Sequence, residues 1–185
     1  MERLVLGLSL DDDVRAALGR YLERTAPDGL PGRPVSPADW HLTLRFLGMT
    51  DEATRGVVER GMSGAVLGPG FPLRLAGLGA FPHPARASVL WIGVEEPTDA
   101  LTSLATIAER IARQAGFTAE TRPFRPHVTL SRLRKPLDVA PLLQWMPPAG
   151  IHLTIRAVTL FRTRSGDGPS RYQPLAEWPF HADEE

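Results

Sequence analysis

Two four-residue segments of the chain are nearly identical, and both carry a histidine and a threonine at alternate positions. His41-Leu42-Thr43-Leu44 recurs as His127-Val128-Thr129-Leu130. In a β-strand, residues two apart project to the same face, so each copy directs an imidazole and a hydroxyl to one surface. Two such strands could place two histidines and two threonines around a single small anion. These groups are suited to phosphoester chemistry without a metal ion.

The chemistry of this set follows from the way its groups handle protons. Histidine has a reference pKa of about 6.5, so near neutral pH one imidazole can accept a proton while another donates one. Threonine hydroxyls can donate hydrogen bonds to the non-bridging oxygens of a phosphate and stabilise the charge that builds up on them. A base, an acid and two hydroxyl donors around one phosphate meet the needs of an in-line displacement at phosphorus.

A third match means that the His-x-Thr pattern alone does not identify the pair. Ile151-His152-Leu153-Thr154-Ile155 also fits it. Context favours His41 and His127, because their segments match over four residues and each begins a predicted strand after a turn. His152 follows Pro147-Pro148-Ala149-Gly150 and shares part of that context, so a pair that includes His152 stays open. The other two histidines are interpreted as bystanders: His83, between prolines, and His181, near the end of the sequence.

Composition and charge favour a globular protein with a local basic patch. The 185 residues allow one domain or two packed half-domains, and the apolar fraction of 43% and charged fraction of 23% are ordinary. Lysine plus arginine and aspartate plus glutamate both number 21, so the net charge gives no sign of long duplex binding. The basic residues that crowd the second half are Arg122, Arg125, Arg132, Arg134, Lys135, Arg156, Arg162, Arg164 and Arg171. Such a patch suits a nucleotide or an RNA end.

Several classes of site are excluded by residue types and spacing. The sequence contains no cysteine, which rules out disulfides, thiolate zinc sites and cysteine nucleophiles. No cluster of histidine, aspartate and glutamate has the spacing of metal ligands, so no metal is expected. The apolar run at residues 4–8 is too short for a signal peptide or a membrane span. We therefore expect a cytoplasmic protein without membrane contact.

Hydrophobic periodicity and turn residues predict an alternation of strands and helices. The predicted strands are residues 4–10, 40–47, 71–78, 88–94, 127–133, 151–161 and 172–175. The predicted helices are residues 11–24, 51–67, 97–115 and 139–145, with loops at residues 27–37 and 164–170. This order is typical of an α+β fold, and the two His-x-Thr strands suggest two related halves.

Beyond the four-residue repeat, longer segments resemble a known family. Trp40-His41-Leu42-Thr43-Leu44-Arg45-Phe46-Leu47-Gly48 and Phe124-Arg125-Pro126-His127-Val128-Thr129-Leu130-Ser131-Arg132 resemble the paired signatures of the 2H phosphoesterases. The branch with the greatest similarity is the RNA 2′,3′-cyclic phosphodiesterases, historically called 2′-5′ RNA ligases. Gly79-Ala80-Phe81-Pro82, Val89-Leu90-Trp91-Ile92-Gly93 and Tyr172-Gln173-Pro174-Leu175 resemble that branch in order and spacing. One departure is Ser131, where a small apolar residue is expected before the arginine.

The resemblance implies a fold and a reaction. The fold is a single bilobal α+β domain over residues 1–185, in which two antiparallel sheets form a concave groove and helices cover the outside. The reaction opens a terminal RNA 2′,3′-cyclic phosphate to a 2′-phosphomonoester, with reversible 2′-5′ ligation as a further activity and no metal or cofactor. The expected partners are RNA ends or nucleotides that carry a 2′,3′-cyclic phosphate, and the expected state is a monomer.

Roles for the repeated residues also follow from the resemblance. It selects His41 and His127 over His152, with His41 as the acid that protonates the ribose O3′ and His127 as the base that activates water. Because the two motifs are so alike, the residues themselves do not fix that direction. Thr43 and Thr129 are expected to hold the non-bridging oxygens.

Four further side chains are candidates for binding substrate. Arg45 is four residues beyond His41 and is predicted to share its face, whereas Arg132 is five residues beyond its histidine and needs a bulge or a strand end to reach the phosphate. Phe46 and Tyr172 are candidates for stacking on a base or ribose, although a core position is the favoured interpretation of Phe46.

Two other functions stay open at this point. The first is a non-catalytic nucleotide- or RNA-binding module that uses the same groove, and the presence of both complete motifs argues against it. The second is a 2H phosphodiesterase that acts on another substrate, such as a small cyclic nucleotide or an ADP-ribose cyclic phosphate.

Overall fold

The computed structural model describes residues 1–95, 98–164 and 171–181, and within those ranges it contains nine strands and four helices. The strands are β1 (Glu2–Ser9), β2 (Arg33–Pro34), β3 (His41–Thr50), β4 (Phe71–Phe81), β5 (Ala87–Val94), β6 (His127–Leu137), β7 (Ile151–Ile155), β8 (Ala157–Thr163) and β9 (Tyr172–Pro179). The helices are α1 (Asp12–Thr25), α2 (Glu52–Ser63), α3 (Asp99–Gln114) and α4 (Ala140–Trp145). The predicted α+β class is confirmed.

The helices begin and end where local chemistry favours it. α1 begins within a run of aspartates, and Asp12 and Asp13 in its first turn stabilise the positive end of the helix dipole. The carboxylate of Asp51 caps α2 by accepting a hydrogen bond from the Thr54 N–H at 2.7 Å. α2 ends at Ser63, four residues short of the predicted end, because glycines weaken its last turn. No helix of the described residues has the length and apolar character needed to cross a bilayer.

All nine strands belong to one antiparallel sheet that divides into two halves. The order is β7-β4-β5-β6-β3-β1-β8-β9, and β2 pairs with β6 off this path. The halves β7-β4-β5-β6 and β3-β1-β8-β9 meet where β6 pairs with β3, through the residue pair Leu42 and Val128. Two separate sheets were expected from the resemblance. The structure joins them as halves of one sheet.

The sheet curls so that its two edge regions meet at one end. Residues 151–161 were predicted as one strand, but β7 lies at one edge of the sheet and β8 lies next to the other edge, with only Arg156 between them. A chain that crosses from edge to edge in so few residues brings those edges within a few ångströms. The Phe180 N–H donates to the Arg156 carbonyl at 2.7 Å, and the rings of Phe71 and Phe180 stack at 6.0 Å. The prediction of a single strand is therefore wrong.

One face of the sheet carries the core and the other carries the repeated motifs. A single cluster of buried residues combines strand positions such as Leu6, Leu42 and Val128 with residues of α1, α2 and α3. The motif histidines and threonines alternate with these buried positions, so they lie on the opposite face. This opposite face is called the histidine face below.

The loop predicted at residues 27–37 contains a short strand that the sequence did not indicate. β2 pairs with β6, with Arg33 opposite Arg132 and Pro34 opposite Ser131. A two-residue strand that contains proline has no alternating pattern to detect. Most of the loop predicted at residues 164–170 lies outside the described residues.

Gly79 marks a close approach between β4 and β5. It is paired with Trp91, and a Cβ atom at this glycine would lie 2.2 Å from two carbon atoms of the indole ring. Gly77 is in the same strand, and a Cβ there would meet nothing within 4 Å. The indole of Trp91 can therefore lie over β4 only because residue 79 lacks a side chain.

We expect Gly79→Ala to destabilise the protein, because the added methyl group must displace a large packed ring. The free energy of unfolding should fall by roughly 1–3 kcal/mol, as measured by urea denaturation. Gly77→Ala is the matched control, and it should leave stability unchanged or raise it by up to about 1 kcal/mol. Equal effects of the two substitutions would show that the contact with Trp91 does not constrain this strand.

Candidate active site

The two His-x-Thr segments lie side by side at the centre of the sheet. β3 and β6 each begin at the histidine of their segment, and the two strands pair through Leu42 and Val128. Because the strands are antiparallel, this register places each histidine opposite the threonine of the other segment. The four side chains that share the histidine face are those of His41, Thr43, His127 and Thr129. The strands thus bring together the groups that the repeat predicted.

Each imidazole is oriented by a hydrogen bond from its Nδ1 to a backbone carbonyl two residues earlier. Nδ1 of His41 donates to Asp39 O at 2.7 Å, and Nδ1 of His127 donates to Arg125 O at 2.6 Å. A carbonyl oxygen only accepts, so Nδ1 keeps its hydrogen and Nε2 is the nitrogen that gains or loses a proton. Nε2 of His41 lies 3.0 Å from Thr43 Oγ1. The backbone therefore fixes the tautomer of both rings.

His41 is enclosed by aromatic rings and by a buried carboxylate. The ring centroids of Phe161 and Tyr172 lie 5.5 and 4.2 Å from that of His41. Asp39 is only 5% exposed, and its Oδ1 accepts hydrogen bonds from the N–H groups of Arg171, at 2.7 Å, and Tyr172, at 3.2 Å. Asp39 therefore holds both His41 and the strand that presents Tyr172. Asp39 was not among the residues predicted for the site, and its position two residues before a strand histidine is the signal that could have found it.

His127 packs against a different aromatic pair. The ring centroid of Phe81 lies 5.0 Å from His127 in an edge-on arrangement, and that of Trp91 lies 5.8 Å away. The two aromatic rings are themselves 5.0 Å apart. The sequence placed both residues only within segments that resemble the family, because their contact with His127 depends on strand pairing between β4, β5 and β6.

Burial lowers the pKa of both His41 and His127 below the usual value for histidine. For each imidazole, the carbonyl hydrogen bond raises the pKa and the positive charge of Arg132 lowers it, both to a smaller extent than burial. The carboxylate of Asp39 also raises the pKa of His41, and no carboxylate of the described residues has that effect on His127. Both rings are consequently mainly neutral at pH 7 in the free protein.

Arg132 lies on the histidine face because β6 contains a β-bulge. Adjacent residues of β5 pair with Thr129 and Ser131 of β6, so Leu130 is an extra residue in that strand. The extra residue reverses the alternation of side chains, and Leu130 and Ser131 are both buried on the core face. Arg132 then returns to the face of His127. The bulge that Arg132 needs in order to reach this face is therefore present.

A matching bulge in β3 has the opposite effect on Arg45. Adjacent residues of β1 pair with the residues on either side of Leu44, which is therefore extra. Arg45 follows Leu44 to the core face, where its Nε lies 2.5 Å from Oε2 of Glu109 in α3 and its Nη2 lies 2.5 Å from the Thr118 carbonyl. The prediction that Arg45 shares the face of His41 is wrong, because the alternation it assumed stops at the bulge.

The same bulge brings Phe46 to the histidine face. Its side chain is 52% exposed, so the interpretation of Phe46 as a core residue is wrong for the same reason. Phe46 occupies the position in β3 that Arg132 occupies in β6. Because β3 and β6 are antiparallel, the exposed ring of Phe46 and the exposed guanidinium of Arg132 lie on opposite sides of the bridge between Leu42 and Val128.

The other three histidines lie away from this site. His152 is exposed on the edge strand β7, opposite Arg74. Nδ1 of His83 accepts a hydrogen bond from the Ala85 N–H in the turn between β4 and β5, and His181 follows β9. The third His-x-Thr match therefore contributes nothing to the central pair. In the part of the chain that the structure describes, no group of three or more histidine, aspartate or glutamate side chains is arranged to hold a metal ion.

We expect Arg132→Gln to raise the pKa of both His41 and His127, because removing the guanidinium removes a charge that disfavours both imidazolium forms. The measurement is an NMR titration of the histidine Cε1–H resonances in the free protein. Arg134→Gln is the matched control in the same strand, and it should leave the pKa values of both histidines unchanged. Unchanged titrations in Arg132→Gln would show that the guanidinium does not face the histidines.

Comparison with known proteins places this arrangement in a family. A model of the 2′-5′ RNA ligase superfamily matches residues 11–167. The RNA 2′,3′-cyclic phosphodiesterase of Aeropyrum pernix is 32% identical over 133 residues, which cover 72% of this chain and 75% of the relative. The Escherichia coli protein of the same name is 30% identical over 179 residues, which cover 96% of each chain.

Solved structures agree with the sequence matches over almost the whole length. The crystal structure of E. coli LigT complexed with 3′-AMP has a TM-score of 0.81 at 29% identity and covers 97% of this chain and 98% of that one. The crystal structure of TT0787 of Thermus thermophilus has a TM-score of 0.80 at 26% identity, and the match covers 98% of this chain and 100% of that one. With the repeated motif paired at the centre of the same fold, the chain belongs to the 2′-5′ RNA ligase superfamily of 2H phosphoesterases.

Proposed function

We propose that this protein hydrolyses the terminal 2′,3′-cyclic phosphate of RNA to a 2′-phosphomonoester by acid–base catalysis with two histidines. The observation that carries the proposal is the pairing of β3 with β6, which places two imidazoles of fixed tautomer on one face, each opposite a threonine hydroxyl. The names of the relatives support the substrate class, because several of them are RNA 2′,3′-cyclic phosphodiesterases.

Hydrolysis requires two proton transfers on opposite sides of the phosphorus. Nε2 of His127 accepts the proton of a water molecule, which attacks phosphorus in line with the bond to the ribose O3′. Nε2–H of His41 donates its proton to O3′ as that bond breaks, which leaves the phosphate on O2′. Each Nδ1–H stays bound to its carbonyl throughout, so neither ring needs to turn during the reaction.

The environment of His41 supports its assignment as the acid. The Asp39 carboxylate favours the imidazolium form of this ring, whereas the bond from His127 goes to the carbonyl of a basic residue, Arg125. In the neutral state, the Thr43 hydroxyl donates to Nε2 of His41. Once Nε2 carries a proton, that hydroxyl is released to donate to a phosphate oxygen.

Arg132 supplies the positive charge for the phosphate. Burial is the main cause of the lowered pKa of both imidazoles, but the charge of Arg132 also lowers both, which supports a position of this guanidinium near the two rings. A bound anionic phosphate offsets this charge and raises the pKa of whichever histidine must hold the proton. Thr129, opposite His41, is the second hydroxyl donor to the non-bridging oxygens. If the 5′-hydroxyl of another RNA strand replaces water, the same groups form a 2′-5′ linkage.

Replacement of either central histidine by alanine should abolish most of the activity, because each removes one of the two proton transfers. We expect His41→Ala and His127→Ala each to lower kcat/KM by about 10²-fold or more. The substrate is an oligonucleotide with a 2′,3′-cyclic phosphate end, in buffer with EDTA, and the products are separated as 2′- and 3′-phosphates.

His152→Ala is the control for that experiment, since it alters the third His-x-Thr match at the exposed edge of the sheet. It should retain the wild-type rate and yield only the 2′-phosphate. Near-normal rates in both central variants would refute the mechanism. Binding of the oligonucleotide without turnover by the wild type would instead identify a non-catalytic module.

The maximum of kcat/KM should lie at a pH below the reference pKa of histidine. The free enzyme is active with one histidine protonated and the other neutral, a form that is most abundant between the two pKa values of the pair. Because the pKa values of both His41 and His127 are lowered, the maximum of the bell-shaped kcat/KM profile should lie below about pH 6.5, the reference value for histidine. At higher pH the acid loses its proton and the rate falls. A kcat/KM profile with its maximum above pH 7 would contradict this assignment.

A further inference from the structure

Two arginines lie side by side on β2 and β6, three residues past Thr129. Arg33 of β2 is the cross-strand partner of Arg132 of β6. Directly opposite residues of antiparallel strands project to the same face, with Cα atoms roughly 5 Å apart, so both guanidinium groups emerge on the histidine face. Within the described residues, neither arginine has a carboxylate at ion-pair distance, although seven other arginines do.

The segment that presents Arg33 is fixed to β6 by several contacts. Residues 30–35 are called the strap below. The Ser131 hydroxyl donates to the Pro31 carbonyl at 2.6 Å, and the Val35 N–H donates to the Leu130 carbonyl at 2.8 Å. Gly32 has a φ of +89°, and a Cβ there would lie 2.6 Å from the Arg132 carbonyl oxygen, so the strap touches β6 where only glycine fits. Arg33 is therefore presented by an anchored segment.

Two like charges in direct cross-strand contact destabilise a sheet unless an anion lies between or above them. The strap occupies the place beside β6 that β3 leaves after the single bridge at Leu42 and Val128. Arg33 therefore takes, beside Arg132, the lateral position that β3 holds at the bridge, and both arginines lie three residues past Thr129 along β6. A ligand with two covalently linked phosphates would place one phosphate between the histidines and the other beside the two arginines.

We propose that Arg33, together with Arg132, binds the phosphodiester on the 5′ side of the terminal nucleotide, so that the protein acts on RNA strands in preference to mononucleoside cyclic phosphates. This inference rests on the proposed function, since it assumes that the terminal cyclic phosphate lies between His41 and His127. A mononucleoside 2′,3′-cyclic phosphate has no second phosphate. A 5′-phosphorylated nucleoside cyclic phosphate and a dinucleotide with a cyclic end both have one in the required position.

The test compares three substrates with the wild type and with Arg33→Gln. The substrates are adenosine 2′,3′-cyclic phosphate, its 5′-phosphorylated form and the dinucleotide ApA with a 2′,3′-cyclic phosphate end. We expect Arg33→Gln to lower kcat/KM about tenfold for the two substrates with a second phosphate, because a charge-assisted hydrogen bond is lost. It should leave the first substrate unchanged. For the dinucleotide, the slope of log kcat/KM against log salt should become shallower by about 0.7.

Two variants control for charge and for position. Arg20→Gln removes an exposed arginine of α1, and it should leave all three substrates unaffected. Arg33→Lys keeps the charge and should recover most of the rate with the dinucleotide. Equal losses with all three substrates, or no loss with any, would overturn the proposal. A selective loss with the 5′-phosphorylated mononucleotide and not with the dinucleotide would also overturn it, since the phosphodiester is the proposed ligand.

A binding measurement separates this proposal from the proposed function. Titration calorimetry compares adenosine 2′-monophosphate with adenosine 2′,5′-bisphosphate. The wild type should bind the bisphosphate about tenfold more tightly, and Arg33→Gln should lose that difference. If the wild type shows no turnover but this difference persists, the hydrolytic function fails and the second phosphate site stands. If turnover is normal and the difference is absent, the site fails and the function stands.

Discussion

The site depends on one backbone bridge, between Leu42 and Val128, where the two halves of the sheet meet. A longer ladder between β3 and β6 would hold the two strands together along their length and close the space beside them with side chains. A bridge of one residue pair brings the two His-x-Thr segments into register and then lets the strands part. Beyond the bridge, the strap pairs with the side of β6 that β3 leaves.

Two bulges decide which side chains lie on the histidine face on either side of that bridge. Each His-x-Thr-x segment ends in an extra residue, Leu44 in one half and Leu130 in the other, and each reverses the alternation that follows. Consequently the fifth residue after each histidine, Phe46 or Arg132, lies on the histidine face, and the fourth lies on the core face. The repeat is therefore a repeat of backbone geometry as well as of residues, since in each half the bulge brings one long side chain to the histidine face, at opposite ends of the paired strands.

The parts of this fold that the sequence predicts are those with local signals. Periodicity predicted most of the helices and strands, and the matched segments predicted that His41 and His127 form the central pair. The errors arose where long-range pairing overrides local pattern. Residues 151–161 alternate like one strand, but their two pieces pair with opposite edges of the sheet. Likewise, Arg45 and Phe46 were assigned to the wrong faces. A β-bulge is defined by how a strand pairs with its neighbour, and the periodicity of the sequence does not reveal it.

In the proposed mechanism two nearly identical motifs perform opposite proton transfers, so the difference between them has to come from their surroundings. Both imidazoles bind a carbonyl two residues upstream, but that residue is Asp39 in one half and Arg125 in the other. Asp39 is buried, and one of its carboxylate oxygens binds the backbone of Arg171 and Tyr172, which keeps the carboxylate close to His41. Burial lowers the pKa of both rings, and the Asp39 carboxylate offsets part of that effect at His41 alone. The broken symmetry of the upstream residues thus supports His41 as the acid, a direction that the repeat by itself leaves open.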